Sequence, residues 1–292
     1  MLTPSDNNNN NNNNNMANAS GRRGAFVVLE GIDRSGKTSQ CKLLLQRLVQ
    51  AGLTASAVRF PNRTTATGRI INDYLTSGVE LDDRAIHLLF SANRWEASQQ
   101  LCQDLYQGTT VVCDRYAYSG VAFSSAKVAK QQEPKNKNKE QENNDDDDDN
   151  ASGSNSNPLL SLDWCQAPDR GLPAPDCVIF LQLSPAQAEE RGGYGEERYE
   201  TLEMQLRVRE RFAELQKMDQ SFGVDAPSWH IIDAAQTIEQ VQSEIWQVVD
   251  NTLASINEKD KPLQKLWETG VYESSTFITT TKDDEDNIEG GN

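Results

Sequence analysis

The residues from Gly31 to Thr38 follow the pattern G-x-x-x-x-G-K-T, directly after a short apolar run. Glycines at this spacing let the backbone wrap closely enough for several N–H groups to face phosphate oxygens, and a helix N-terminus beyond them adds partial positive charge. In that arrangement Lys37 lies between the β and γ phosphates and the Thr38 hydroxyl ligates Mg²⁺. The alternative is a glycine turn without a ligand. Strand, spacing and helix occur together, so we predict a phosphate-binding loop.

Two further charged residues fit the same chemistry. Arg34 lies inside the loop, where a guanidinium can stabilise charge on a phosphoryl group in transfer. Asp114 ends an apolar segment, as the acidic residue of a Walker-B strand does. Strands often end in aspartate, so Asp114 is informative only because the phosphate loop accompanies it. We predict that Thr38 and Asp114 hold Mg²⁺, with Asp114 acting through water.

The elements that must position these residues alternate short β-branched runs with longer helical stretches. This alternation is typical of a parallel sheet with helices on both faces. The predicted strands are 25–30, 54–60, 109–113, 177–183 and 229–232. The predicted helices are 39–50, 83–106, 205–219 and 238–253, with Ile86, Leu89, Phe90 and Leu101 as core positions of the second. The predicted fold is therefore α/β, a three-layer α/β/α P-loop NTPase fold with a five-stranded parallel sheet.

Three low-complexity segments interrupt or flank this pattern. Residues 1–20 are rich in asparagine, residues 128–160 are rich in Asn, Asp and Lys, and residues 269–292 are acidic. Such compositions cannot bury enough apolar surface to become ordered. We predict one domain over 21–268, interrupted by an insertion at 128–160, between a disordered N-terminus and a disordered tail.

Composition excludes several classes of function. More than half of the formal charge of −16 lies in the three low-complexity segments, and the mildly acidic remainder argues against nucleic acid as a partner. No window approaches the ~20 apolar residues of a membrane span, and the first residues lack the features of a secretory or mitochondrial leader. Five cysteines without a CxxC pair predict buried thiols in a reducing compartment, and two histidines nearly exclude a histidine-rich zinc site. We expect a cytoplasmic location, with a nuclear or organellar pool left open.

Seven segments, in order along the chain, resemble one family, the thymidylate kinases, which phosphorylate dTMP to dTDP with ATP. They are FVVLEGIDRSGKT (26–38), RFPNR (59–63), LLFSANRWE (88–96), DRYAYSGVAF (114–123), SLDWC (161–165), GLPAPDCVIF (171–180) and RGGYGEERYE (191–200). The first is shared by many nucleotide-binding proteins, whereas RFPxR, FSANRWE and DRYxSGxAF are specific to this family. The likeness covers about residues 22–268 and is closest to eukaryotic members.

The resemblance implies a catalytic set, an ATP site and a dTMP site. Catalysis is assigned to Asp33, Arg34, Lys37 and Arg115. ATP binding is assigned to Gly31, Ser35, Gly36, Lys37, Thr38, Ser39 and Arg191. Binding of dTMP is assigned to Asp33, Phe60, Arg63, Phe90, Arg94, Arg115, Tyr116, Ser119, Gly120, Phe123 and Tyr199. The implied reaction is direct, in-line transfer of the γ-phosphoryl group of ATP to dTMP, with Mg²⁺.

The dTMP residues have chemistry that suits these roles. Phe90 and Arg94 lie four residues apart on a predicted helix and therefore share a face. The resemblance implies that Phe90 stacks on thymine while Arg94 reaches the base. It implies that Arg63 and Arg115 hold the phosphate, since forked guanidinium groups bind phosphate oxygens in pairs. Tyr116 is expected to crowd the sugar and favour deoxyribose.

Residues 192–199 resemble the lid that closes over ATP. Arg191 and Arg198 can reach phosphate, and Tyr199 would approach the thymidine. Two glutamates keep the lid from being strongly basic. Family members with an arginine in the phosphate loop, as Arg34 is here, typically lack a catalytic basic lid, so the two regions agree.

The insertion at 128–160 departs from the family pattern, and we expect it to loop out between the DRY and SLDW segments. Three other functions remain open: a kinase of another nucleoside monophosphate or of a deoxynucleoside, a nucleotide-dependent switch protein, and a scaffold that has lost catalysis. The switch is disfavoured because no N-K-x-D motif is present. The scaffold is disfavoured because the catalytic residues are intact. The resemblance implies a homodimer, with the helix at 83–106 in its interface.

Overall fold

The computed structural model describes residues 22–128, 160–191, 197–221, 223, 226–273 and 277. The predictions of disorder for 1–20, for most of the insertion and for most of the acidic tail fall outside these residues. Most of the predicted lid, 192–196, does so as well.

The sheet has five strands, all parallel, in the order β2-β3-β1-β4-β5. They are β1 (Phe26–Glu30), β2 (Ala55–Arg59), β3 (Thr110–Asp114), β4 (Cys177–Gln182) and β5 (Ser228–Asp233). The three central strands are apolar because helices cover both faces of the sheet. The predicted three-layer α/β/α fold is confirmed.

Eight α-helices surround the sheet in the described part of the chain. They are α1 (Lys37–Gln50), α2 (Ala66–Leu75), α3 (Asp83–Tyr106), α4 (Ala117–Ser125), α5 (Leu162–Gln166), α6 (Pro185–Glu190), α7 (Leu202–Ser221) and α8 (Ile238–Lys259). A short 3₁₀ turn, Ala167–Asp169, follows α5. Within the described residues, no helix combines the length and apolar character needed to cross a membrane.

The core lies between the sheet and its helices. Ile86 and Leu101 of α3 are buried as predicted, whereas Leu89 and Phe90 are half-buried and pack against a smaller cluster formed with α2. All five cysteines are free and buried, which confirms the prediction of buried thiols.

The strand register brings the chemistry to one edge of the sheet. Leu29 of β1 lies opposite Asp114 of β3, and Asp114 lies opposite Arg59 of β2. Because parallel strands end at the same edge, the loops that follow β1, β2 and β3 meet there. Ligands of open α/β sheets bind at this carboxyl edge.

Candidate functional site

The loop between β1 and α1 has a backbone that only glycine fits at its start. Gly31 has φ 146°, and a Cβ there would lie 2.7 Å from the carbonyl oxygen of Leu181. Gly36 has φ 95° and leads directly into α1. Because the first N–H groups of a helix have no partner within the helix, the loop and α1 offer backbone donors to an anion.

Lys37 is folded back onto this loop. Its Nζ donates to the carbonyl oxygens of Ile32 at 2.6 Å and Gly31 at 3.1 Å, and it lies 3.2 Å from the hydroxyl of Ser35. Burial, and secondarily the positive charge of Arg115, lowers the pKa of Lys37 from 10.5 to about 7. These are contacts that an anionic ligand can replace.

Thr38 and Asp114 meet across the edge of the sheet. The Thr38 hydroxyl donates to Oδ2 of Asp114 at 2.6 Å. The other carboxylate oxygen, Oδ1, is buried and has no hydrogen-bond partner among the described residues. Buried polar atoms are nearly always paired, so an unpaired carboxylate oxygen beside a hydroxyl indicates a place for an oxygen-seeking cation.

This pair fits Mg²⁺ better than a metal held by protein ligands alone. The described residues contain no group of three or more His, Cys, Asp or Glu side chains that could cage a metal. Mg²⁺ is commonly bound through one or two side chains plus waters and substrate phosphates. Thr38 and Asp114 together meet that requirement.

Arg115 lies between the phosphate loop and α4. It has φ 69°, and its Nη2 donates to Oδ1 of Asp33 in a close contact. Its Nη1 donates to the hydroxyl of Ser119 at 3.0 Å and to the carbonyl oxygen of Gly31 at 3.1 Å. The second oxygen of Asp33 accepts from Nε2 of Gln205 at 2.7 Å. Asp33 and Arg115 are thus held together as a charged pair at the mouth of the loop.

Glu30, the last residue of β1, is fully buried beneath Arg115. Its carboxylate accepts from the backbone N–H groups of Tyr116 at 2.8 Å and Ser119 at 3.1 Å, and from the Ser119 hydroxyl at 2.5 Å. Burial raises the pKa of Glu30, while the Ser119 hydrogen bond and the charge of Arg115 oppose that rise. Glu30 therefore fixes the first turn of α4, on which Arg115 depends.

A cavity of about 470 Å³ joins these groups to the helices α3 and α4. The residues predicted for the site that line it are Asp33, Arg34, Gly36, Lys37, Thr38, Ser39, Phe60, Arg63, Phe90, Arg94, Asp114, Arg115, Tyr116, Ser119, Gly120, Phe123, Arg191 and Tyr199. Gly31 and Ser35, also predicted for the site, belong to the phosphate loop but are not among the residues that line the cavity. The cavity is also lined by five residues absent from the predicted set: Arg59, Pro61, Leu75, Glu197 and Glu200.

Two arginines line the cavity beside the predicted lid. Arg34 has φ 63°, and its Nε lies 3.4 Å from Oε1 of Glu200. Arg191 donates to the backbone carbonyl oxygens of Arg34 at 3.1 Å and Ala234 at 2.5 Å. Arg191, the residue before the predicted lid, is thus tied to the phosphate loop.

Two predicted residues also make contacts with groups outside the cavity. The ring of Tyr116 is 1% exposed, and its hydroxyl donates to the carbonyl oxygen of Pro173 at 3.1 Å, so that hydroxyl is engaged in the core. Arg198 lies over the ring of Tyr74, 4.2 Å from its centroid, and donates to Glu80 at 2.7 Å. Arg198 does not line the cavity in this conformation.

Comparison with known proteins identifies the family to which the chain belongs. The sequence model "Thymidylate kinase" matches residues 29–141 and 152–245. Curated thymidylate kinases of Danio rerio and Homo sapiens are 44% and 40% identical to the chain, each over 84% of this chain and 98% of the relative. A solved thymidylate kinase from Candida albicans matches with a TM-score of 0.65 at 35% identity, over 84% of this chain and 98% of that one. The chain belongs to the thymidylate kinase family.

Membership in the thymidylate kinase family confirms the resemblance seen in the sequence motifs. The protein is an ATP-using nucleoside monophosphate kinase that phosphorylates dTMP. Family membership favours phosphorylation of dTMP over the three alternative functions. These were a kinase of another acceptor, a switch protein and a scaffold.

The thymidylate kinase site contains supporting residues that sequence reasoning missed. Asp169, Glu197 and Gln205 each hold an arginine or aspartate of the predicted set through a hydrogen bond, and Glu30 holds Ser119. The sequence could have identified Glu30, because it is an acidic residue in a strand predicted to be fully buried. The sequence could not have identified Asp169, Glu197 or Gln205, since each contacts its partner from a distant part of the chain.

Proposed function

We propose that the protein transfers the γ-phosphoryl group of ATP directly and in line to a phosphate oxygen of dTMP, with Mg²⁺, as a cytoplasmic step in dTTP synthesis for DNA replication. The observation that supports this most strongly is the continuity of the cavity. It runs from Lys37 and Thr38 at the phosphate loop to Phe90 and Arg94 on α3. One space of this kind suits a phosphoryl donor and a nucleotide acceptor bound end to end.

In this proposal the chain's own charges carry the reaction. Lys37 and the backbone donors of the loop bind the β and γ phosphates, and Arg34 stabilises the charge that develops on the phosphoryl group in transfer. Asp33 and Arg115, already paired, orient the acceptor phosphate. Thr38 and Asp114 would hold Mg²⁺, which supplies neutralisation of phosphate charge when bound.

No histidine base is needed for this chemistry. The acceptor phosphate is ionised and nucleophilic at neutral pH, so its activation requires orientation and screening of charge. Neither His87 nor His230 lines the cavity. Burial lowers the pKa of His87 to about 4 and keeps it neutral in the core.

We also propose a homodimer with α3 in its interface. Leu88 and Trp95 lie seven residues apart on α3, hence on one face, and are 48% and 41% exposed. Large apolar side chains in that arrangement are suited to a partner surface. Sedimentation analysis of the protein and of Leu88→Asp tests this: a monomeric wild-type protein contradicts the proposal.

The experiment for the reaction is a coupled ADP-release assay with ATP and Mg²⁺. The acceptors dTMP, dUMP, UMP, CMP, dGMP and thymidine are offered in parallel. We expect strong turnover with dTMP, weaker turnover with dUMP and little with the others. A preference for another monophosphate or for thymidine would overturn the base pocket at Phe90 and Arg94, and no turnover with any acceptor would overturn the proposed reaction.

A further inference from the structure

Asp169 is a buried carboxylate that the reaction itself does not use. It ends the 3₁₀ turn after α5 and is 0% exposed. Its two oxygens accept from Arg94, from Nε at 3.1 Å and from Nη2 at 2.6 Å. The hydroxyl of Ser91 donates a third hydrogen bond to it, at 2.7 Å. A paired contact of this kind fixes both the position and the plane of the guanidinium.

The turn that carries Asp169 is itself fastened to α3. The carbonyl oxygen of Pro168 accepts from Nε1 of Trp95 at 2.8 Å, and it also lies 3.0 Å from the hydroxyl of Ser91, whose single proton it shares with Asp169. Asp169 and Arg94 therefore belong to one rigid unit, because both the carboxylate and its backbone are tied to the helix that bears the arginine.

The opposite side of the guanidinium is closed by α4. A Cβ at Gly120 would lie 2.7 Å from Nη2 and 2.9 Å from Nη1 of Arg94. Only a residue without a side chain permits this approach, so the guanidinium is confined between Asp169 and the backbone of Gly120. It has one orientation available.

That orientation leaves one end of the arginine for a ligand. Arg94 lines the cavity, and its Nη1 has no hydrogen-bond acceptor among the residues that the structure describes. A guanidinium donates hydrogen bonds and cannot accept them. The group it meets must therefore be an acceptor, such as the O4 carbonyl of thymine or uracil. Cytosine presents an amino group there, which is also a donor.

We propose that Asp169 is a specificity-determining positioning residue. By holding Arg94 in a single orientation, it makes the cavity select a pyrimidine with an oxygen at position 4 over one with an amino group. This inference rests on the proposed dTMP site at Phe90 and Arg94. It adds the residue that sets the geometry of that site.

The test is Asp169→Asn, which keeps the shape of the side chain but turns one of its acceptors into a donor facing Arg94. We expect the KM for dTMP to rise about 10- to 100-fold, because a small displacement of a positioning group has effects of that size. We expect kcat and the KM for ATP to change by less than about threefold, since neither depends on the base. The preference for dTMP over dCMP in kcat/KM should fall by about tenfold or more.

Asp176→Asn is the matched control. Asp176 is also buried, and its two oxygens accept from Arg23 at 2.7 and 2.8 Å and from the N–H of Phe26 at 2.8 Å, outside the cavity. A purely structural effect lowers Tm in both variants. Only Asp169→Asn should change the dTMP KM and the preference over dCMP; equal changes in both variants would overturn the inference.

Arg94→Ala, alone and combined with Asp169→Asn, separates positioning from general damage. Because Asp169 acts through Arg94, the combined variant should show no further loss of preference beyond Arg94→Ala. Additive losses would contradict the inference. Should Asp169→Asn fail to fold, Gly120→Ala carries the same test by displacing the guanidinium, and an unchanged dTMP KM in that variant would overturn the inference.

Failure of the two proposals can be told apart. If the wild-type enzyme shows no preference for dTMP, the assignment of the base pocket to Phe90 and Arg94 is wrong. If the wild-type enzyme prefers dTMP and the Asp169→Asn variant prefers it equally, only the proposed role of Asp169 is wrong.

Discussion

The carboxylate of Glu197 accepts a hydrogen bond of 2.7 Å from Nη2 of Arg63 at the edge of the cavity. Both side chains are 34% exposed, and Arg63 is also held by Asn72 at 3.0 Å. The guanidinium proposed for the dTMP phosphate is thus already occupied by an anion. Solvent-exposed ion pairs contribute about 0–1 kcal/mol, and this pair is partly open to solvent, so a phosphate can replace the carboxylate at modest cost.

Arg63→Ala should raise the KM for dTMP by about 10- to 100-fold, the range expected for loss of charge-assisted hydrogen bonds. The KM for ATP should stay within about threefold, because Arg63 lies on the acceptor side. Steady-state kinetics with each substrate varied in turn measures both values. Arg170→Ala, which removes an exposed ion pair with Asp163, is the control. Equal effects of Arg63→Ala on both KM values would contradict the pocket assignment.

Glu197→Gln should have the opposite effect on dTMP. Removing the competing charge leaves Arg63 more available to the phosphate, and we expect the dTMP KM to fall about two- to fivefold. The same assay measures it. An increase in the KM would show that Glu197 positions Arg63 rather than competing for it.

Arg34→Ala should separate nucleotide binding from turnover. Arg34 is assigned to the phosphoryl group in transfer, and an arginine in that role contributes about 10³-fold or more to kcat. The Kd for ATP should change little, because Lys37 and the loop backbone remain. Equilibrium binding and single-turnover rates provide the two numbers, and a kcat comparable to that of the wild-type enzyme would remove Arg34 from the mechanism.

Lys37 should take up a proton when nucleotide binds. Burial lowers its pKa to about 7 in the free protein, so at about pH 8 the amine is mostly neutral, and a bound polyphosphate favours the charged form. Calorimetry of ATP binding in two buffers of different ionisation enthalpy measures this uptake. In Lys37→Arg the guanidinium stays protonated throughout, and the uptake should disappear. Equal uptake in the two proteins would assign the proton to another group.

His87 should make the protein less stable in mild acid. Burial lowers its pKa to about 4 in the folded state, against 6.5 for an ordinary histidine. The unfolded chain therefore binds a proton between these values and the folded chain does not. Relative to a variant without this histidine, the free energy of unfolding should fall by about 3 kcal/mol as the pH drops from 6.5 to 4. Urea unfolding of the protein and of His87→Asn at several pH values tests this, and parallel pH profiles would contradict it.

The sequence predicted α3 correctly from Asp83 to Tyr106. This accuracy has a local cause: Asp82 caps the helix by accepting from the N–H groups of Arg84 and Ala85, and apolar positions recur at helical spacing. Helix α4 was missed for the opposite reason. All nine of its residues are buried, so it has no polar face, and its sequence lacks the alternation of polar and apolar residues that reveals an amphipathic helix.

The site shows the same division between local and distant signals. Lys37, Thr38 and Asp114 lie in short motifs that follow strands, and the parallel sheet brings them together. Gln205 meets Asp33 across 172 residues of chain, a pairing that only the packing of α7 on the phosphate loop creates. The spacing of residues in the sequence does not predict a contact of that kind.

His87 also links the two helices that precede and follow residues 128–160. Its Nδ1 accepts from the hydroxyl of Ser124 in α4 at 2.8 Å, and its Nε2 donates to the carbonyl oxygen of Cys165 in α5 at 2.8 Å. The helices on either side of the insertion are therefore both fastened to α3 by one imidazole. For a flexible connection, each doubling of length costs only about 0.6 kcal/mol. Because these contacts of α4 and α5 do not involve residues 128–160, a reporter domain placed between the two helices is expected to leave both of them on α3.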